Sequence, residues 1–220
     1  MRKHPLGNIV DTLRRVTTRR RDRALWAAAS TMVDIGELTA QWLEGTIGYH
    51  PGYPGVGPDP ETTTLIPTLA AVNRAGFVTD GSQPGMAPRR GYGEWTWAQR
   101  PAVEGWIPAP LAAVLTEQAE AAGFLAIRYP PNPDARTRVE DGITVTTING
   151  QWCTVFGRQI PPSDVRDVLF SGVGAAAVGE VLGADRLTIV DPDYTADTRL
   201  WRLLDEWATH RSSANAREAV

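Results

Sequence analysis

Apolar residues recur along this chain at two periods, and the switches between them mark its elements. From Asp22, the residues Leu25, Ala28, Met32, Ile35, Thr39 and Trp42 fall near one face at three- and four-residue spacing. That pattern predicts one long amphipathic helix, with Asp22 placed to cap its start and Gly45 to end it. Leu65, Leu69 and Val72 repeat the helical period up to Gly76, which suits a helix C-terminus, and Pro67 kinks this helix or delays its start. Phe77-Val78-Thr79 is predicted to be a short, buried central strand, ended by Asp80-Gly81-Ser82-Gln83-Pro84-Gly85. Trp95, Trp97 and Gln99 then alternate with Glu94, Thr96 and Ala98, the period of a strand, until Pro101 interrupts it.

The second half continues the alternation of elements. Pro110 opens a helix through Leu111, Val114, Leu115 and Gln118 that Gly123 ends, and Phe124 to Tyr129 reads as a strand. Ile143–Ile148 and Trp152–Phe156 flank Asn149-Gly150, a pair that tolerates the positive φ of a type I′ hairpin turn. A short helix from Pro162 to Phe170, a Gly/Ala-rich segment at 172–183 and a strand from Arg186 to Val190 follow. The last helix, about Ala196 to His210, is capped by Thr195 and buries Leu200, Leu203, Leu204 and Trp207. The predicted class is α+β: a small, mainly antiparallel sheet of about four to six strands packed by several helices, with long amino- and carboxy-terminal helices. Residues 1–22 read as a basic mobile arm, 23–210 as a single domain and 211–220 as a frayed tail.

Composition changes this picture in three places. Cys153 is the one cysteine, so no intrachain disulfide or cysteine metal cluster can form; its apolar run predicts a buried structural thiol. No apolar segment approaches the roughly 20 residues that cross a bilayer, and the amino terminus lacks an apolar signal core, so a cytoplasmic protein with no membrane contact is expected. Residues 1–23 hold eight basic groups against two acids, while the whole chain has 22 basic and 25 acidic residues. A basic arm on an acidic body permits nucleic-acid contact through residues 1–23, or is a solvated tail.

Candidate chemistry gathers in two polar stretches. The Pro/Gly-rich loop at 49–56 carries His50 and Tyr53, and the stretch at 80–100 carries Ser82, Gln83, Trp95, Trp97, Gln99 and Arg100. Ser82 and Gln83 suit hydrogen bonding, Trp95 and Trp97 stacking, and Arg100 an anion. No phosphate-cradling glycine pattern, nucleophile elbow or zinc spacing is present, so no cofactor or metal is expected. Asp191 and Asp193 read as a turn and cap more simply than as Mg²⁺ ligands. The leading expectation is a non-catalytic protein that binds a small polar or nucleotide-like ligand, or a partner protein, through these two loops. The alternative is a hydrolase or transferase using His50 with Asp80 or Ser82.

Trp42-Leu43-Glu44-Gly45, His50-Pro51-Gly52-Tyr53, Asn73-Arg74-Ala75-Gly76-Phe77, Ser82-Gln83-Pro84-Gly85 and Gln99-Arg100 with Val103-Glu104-Gly105 carry a resemblance. Over about residues 24–107 the chain resembles an uncharacterised domain family of actinobacteria and their phages. That implies an accessory protein of a phage or mobile element. The chain is also faintly similar to the tRNA wybutosine-synthesis methyltransferase family, which has Cys at the position of Gln83, so its chemistry is not carried over.

Overall fold

The computed structural model describes residues 19–53, 55, 57–91, 94–138 and 140–218. The basic arm therefore lies outside the described residues as far as residue 18; residues 19–28 are helical (α1). The predicted long first helix is two helices. The chain breaks after α1 and restarts as α2, Met32–Leu43, because Thr31 and Asp34 form a capping box and Asp34 also accepts from the Ser30 amide and hydroxyl. The break resets the helical phase. Trp26, fully buried, replaces Leu25 as the inward residue, and Leu25 is 38% exposed. Asp22 is not a cap but a tie, accepting from the Gly48 amide at 2.8 Å.

A 3₁₀ turn, Pro60–Leu65, leads into α3, Ile66–Arg74. Among the described residues eight strands form two four-stranded sheets, rather than the single sheet expected, and every pairing is antiparallel. They are β1 (Val78–Gln83), β2 (Met86–Arg90), β3 (Thr96–Gln99), β4 (Ala102–Ile107), β5 (Leu125–Tyr129), β6 (Ile143–Ile148), β7 (Gln151–Phe156) and β8 (Asp185–Val190). The first sheet is ordered β1-β4-β8-β5, the second β2-β3-β6-β7. Helices α4 (Ala109–Ala121), α5 (Pro162–Asp164, extended by a π turn through Leu169), α6 (Ala175–Leu182) and α7 (Arg199–Glu218) complete the α+β fold.

Phe77-Val78-Thr79 does not form a central strand. Phe77 lies just ahead of β1, and Val78-Thr79 opens it; β1 is the edge strand of its sheet and runs on to Gln83. The centre belongs to β4 and β8, and all six residues of β8 are buried. Val103, Ile107, Leu187 and Ile189 join Trp26, Ile35, Leu69 and Leu204 in one continuous apolar core. The register puts Glu104 opposite Thr188 and Trp106 opposite Arg186, so these four share one face of the sheet. At Asn149-Gly150 both residues have positive φ, as the hairpin turn requires. Cys153 is exposed, not buried, because β7 is an edge strand whose first three residues face solvent. Helix α7 continues to Glu218 where a frayed tail was predicted; Ser212 and Ser213 donate back to the Ala208 and Thr209 carbonyls. Among the described residues no helix is long and apolar enough to cross a membrane.

Candidate functional site

The loop after α2 is held to the core by rings. Trp26 Nε1 donates to the Tyr49 carbonyl at 2.9 Å. His50 sits between Trp26 and Trp42, with ring centroids at 5.0 and 4.8 Å, and Trp42 in turn meets Tyr53 at 5.1 Å. Gly52 is pressed against the π turn, where a Cβ would stand 2.7 Å from the Leu169 carbonyl oxygen. The loop therefore docks where glycine alone fits, and brings His50 and Tyr53 beside Leu169 and Phe170.

The edge of the first sheet faces this loop. Asn73 pins the start of β1: its side-chain carbonyl accepts from the Thr79 amide at 3.0 Å and its amide donates to the Thr79 hydroxyl at 2.7 Å. The register then slips between Thr79 and Gly81, leaving Asp80 in a β-bulge. The bulge exposes the Asp80 main chain but turns its side chain inward, where only 12% stays accessible. There Arg186 bonds both Asp80 oxygens at 3.2 Å and Glu104 at 2.9 Å, and lies over the Trp106 ring at 4.5 Å. Glu104 also accepts from the Gly157 amide and the Thr188 hydroxyl.

Between loop and sheet edge lies a cavity of about 250 Å³. Trp42, His50, Tyr53, Asp59, Asp80 and Ser82 line it, with Phe156 and Phe170 among its walls. So four of the residues singled out in the sequence, His50, Tyr53, Asp80 and Ser82, meet here. The others do not. Gln83 is buried and ties the two sheets together, donating to the Arg100 and Val145 carbonyls and accepting from the Thr146 hydroxyl. Arg100 donates to the Thr144 carbonyl and stacks over Tyr194 at 4.6 Å. Trp97 and Gln99 are paired in β3, and Trp95 stands 53% exposed ahead of it.

Burial sets the protonation of two cavity residues. It pushes the His50 imidazole down to about 4, and Nδ1 has no partner among the described residues, so the ring is neutral near pH 7. Burial pushes the Asp80 carboxyl up to about 7, against the pull of Arg186 and with the help of Glu104. The Tyr53 hydroxyl donates to Asp59, which raises it to about 12. No hydrogen bond joins His50 to Asp80 or Ser82 among the described residues. A larger hollow of about 340 Å³ behind Arg186, lined by Trp106, Tyr129 and Gln159, holds none of the residues singled out, and its Arg186 is already paired.

The two titrations give opposite slopes of stability against pH. An unfolded Asp80 ionises near 3.8 while the folded one keeps its proton to about 7, so its contribution falls as pH rises through that window. An unfolded His50 protonates near 6.5 while the folded one resists until about 4, so its contribution is lost as pH falls through that range. Each slope approaches about 1.4 kcal/mol per pH unit. Relative to the unaltered chain, Asp80→Asn is expected to gain stability with rising pH between 4 and 6.5, and His50→Asn to lose it. Urea midpoints across that range measure both, and parallel curves for all three proteins would contradict the burial assigned to these groups.

Sequence reasoning missed Arg186, Glu104, Asp59 and the Phe156 and Phe170 walls. A signal existed for two of them: Glu104 interrupts Ala102-Val103 and Gly105-Trp106-Ile107, and Arg186 precedes Leu187-Thr188-Ile189-Val190. A charge inside a fully buried strand must have a partner. Asp191 and Asp193 form a turn, with Asp191 accepting from the Asp193 amide and pairing with Arg199 at 2.9 Å.

Fold and site define a two-sheet α+β domain whose edge-strand bulge and docked aromatic loop enclose a small acidic cavity. The chain belongs to the family described as a domain of unknown function, DUF6919, whose model matches residues 21–211. No curated protein matches its sequence.

Proposed function

We propose that the protein is a non-catalytic accessory protein that binds a small polar ligand in the cavity between the 49–53 loop and the Asp80–Ser82 edge. One observation carries the reading. His50, Tyr53, Asp80 and Ser82, drawn from two separate stretches of the chain, line one cavity. The cavity volume suits a fragment the size of a nucleobase, and its described lining has no arginine or lysine for a phosphate. The base-like part of a nucleotide-like ligand is therefore the part that fits. The hydrolase reading is weaker, because His50 activates neither Ser82 nor Asp80 and Asp80 is held by Arg186. A role in a phage or mobile element rests on the resemblance over residues 24–107. A cytoplasmic setting agrees with the exposed, unpaired Cys153.

A screen of polar fragments by backbone NMR tests the reading. Binders are expected to perturb the signals of Trp42, Tyr53 and Ser82, and Ser82→Trp, which fills the cavity, to abolish the perturbation. Fragments that bind only elsewhere, or equally to the filled variant, would refute it. Partner-protein binding through the 80–100 stretch has its own support in the exposed Trp95, which is 53% accessible. Trp95→Ser removes that exposed ring and leaves the cavity lining untouched.

A further inference from the structure

The charge around the cavity is out of balance. Asp80 and Glu104 share the single Arg186 guanidinium, so the cluster holds one more negative than positive group when both acids are ionised. Asp59 adds a second carboxylate to the cavity wall, there engaged by the Tyr53 hydroxyl. His50 on the loop is neutral and cannot compensate. Arg186 is engaged through all three of its nitrogens, bonding Asp80, Glu104 and the Arg158 carbonyl, and its flat face lies over Trp106. The described cavity lining has no arginine or lysine, whereas Trp42, Tyr53, Phe156 and Phe170 offer aromatic surface. Aromatic faces attract a cation, most strongly in a desolvated site.

Resting on the reading of this cavity as a ligand site, we propose that its ligand is a flat organic cation of the amidine, guanidine or protonated heteroaromatic amine class. Its charge balances Asp80, and its plane lies among the Trp42, Tyr53 and Phe170 rings. The groups facing Asp80 are Arg186 from β8, Glu104 from β4, His50 and Tyr53 from the docked loop and Asp59 ahead of the 3₁₀ turn. None of them supplies a free cation. Because Asp80 holds its proton to about pH 7, the cation displaces that proton and binds more tightly as pH rises through neutrality.

Three probes of one shape and different charge decide it: benzamidine, benzamide and benzoate, titrated into the full chain by NMR at pH 6 and pH 8. Benzamidine is expected to shift the Trp42, Tyr53 and Ser82 signals with at least tenfold higher affinity than benzamide at pH 8. The gap narrows at pH 6, benzoate does not bind, and Asp80→Asn closes the gap while Asp59→Asn reduces it. Benzamide binding as tightly as benzamidine overturns the cationic assignment and leaves the ligand cavity standing. Failure of all three probes to shift any cavity signal overturns both.

Discussion

Replacing Arg186 with Met is expected to destabilise the protein by about 3–5 kcal/mol at pH 8, a large part of the stability of a domain this size. Arg186 is buried on the central strand β8 and is the guanidinium that bonds Asp80 and Glu104 among the described residues. Its loss leaves Glu104 to the Gly157 amide and the Thr188 hydroxyl, and leaves Asp80 with no ionic partner. A buried charge without a partner neutralises itself, so the penalty shrinks as pH falls and Asp80 takes up a proton. Adding Asp80→Asn to Arg186→Met should recover part of the loss at pH 8 and little at pH 5. Urea unfolding of the two variants at both pH values measures this. A loss below about 1 kcal/mol for Arg186→Met, or no recovery in the double variant, would show that the cluster is not the closed ionic unit described.

Trp26→Ala is the second large effect. A fully buried tryptophan cut to alanine costs about 3–5 kcal/mol. Here it also releases the loop, because Trp26 forms one wall of the His50 slot and donates to the Tyr49 carbonyl. Water then reaches His50, and its imidazole should move from about 4 back toward 6.5, which an NMR titration of the ring protons reads directly. Trp26→Phe keeps most of the packing and loses the hydrogen bond, so it should cost about 1 kcal/mol for the bond and shift His50 little. If His50 titrates unchanged in Trp26→Ala, the tryptophan does not set its burial.

The α+β class was legible because it follows from local period: three-and-four spacing in the helices, alternation in β3, and Asn149-Gly150 between two apolar runs. The break at Ser30-Thr31 was hidden by a coincidence of spacing, since Met32, Ile35, Thr39 and Trp42 continue the phase that Leu25 and Ala28 set. The capping pair Thr31 and Asp34 was the local evidence against it. At the site, His50, Tyr53, Asp80 and Ser82 were recognisable as polar groups in glycine-punctuated loops, and they do meet. Gln83 and Arg100 carry the same polar signature, yet their side chains are spent on main-chain carbonyls of the second sheet. That difference depends on a sheet-to-sheet contact 62 residues away in the chain, which no local pattern encodes. The inward turn of Asp80 likewise depends on Arg186, 106 residues further on.

The central claim, that the docked 49–53 loop and the β1 bulge enclose a ligand site, is tested most directly by a crystal of the protein soaked in benzamidine. The account predicts density for one flat ring among Trp42, Tyr53 and Phe170, with the amidine toward Asp80. Density only at other surfaces, or a loop whose own side chains fill the cavity, would contradict it.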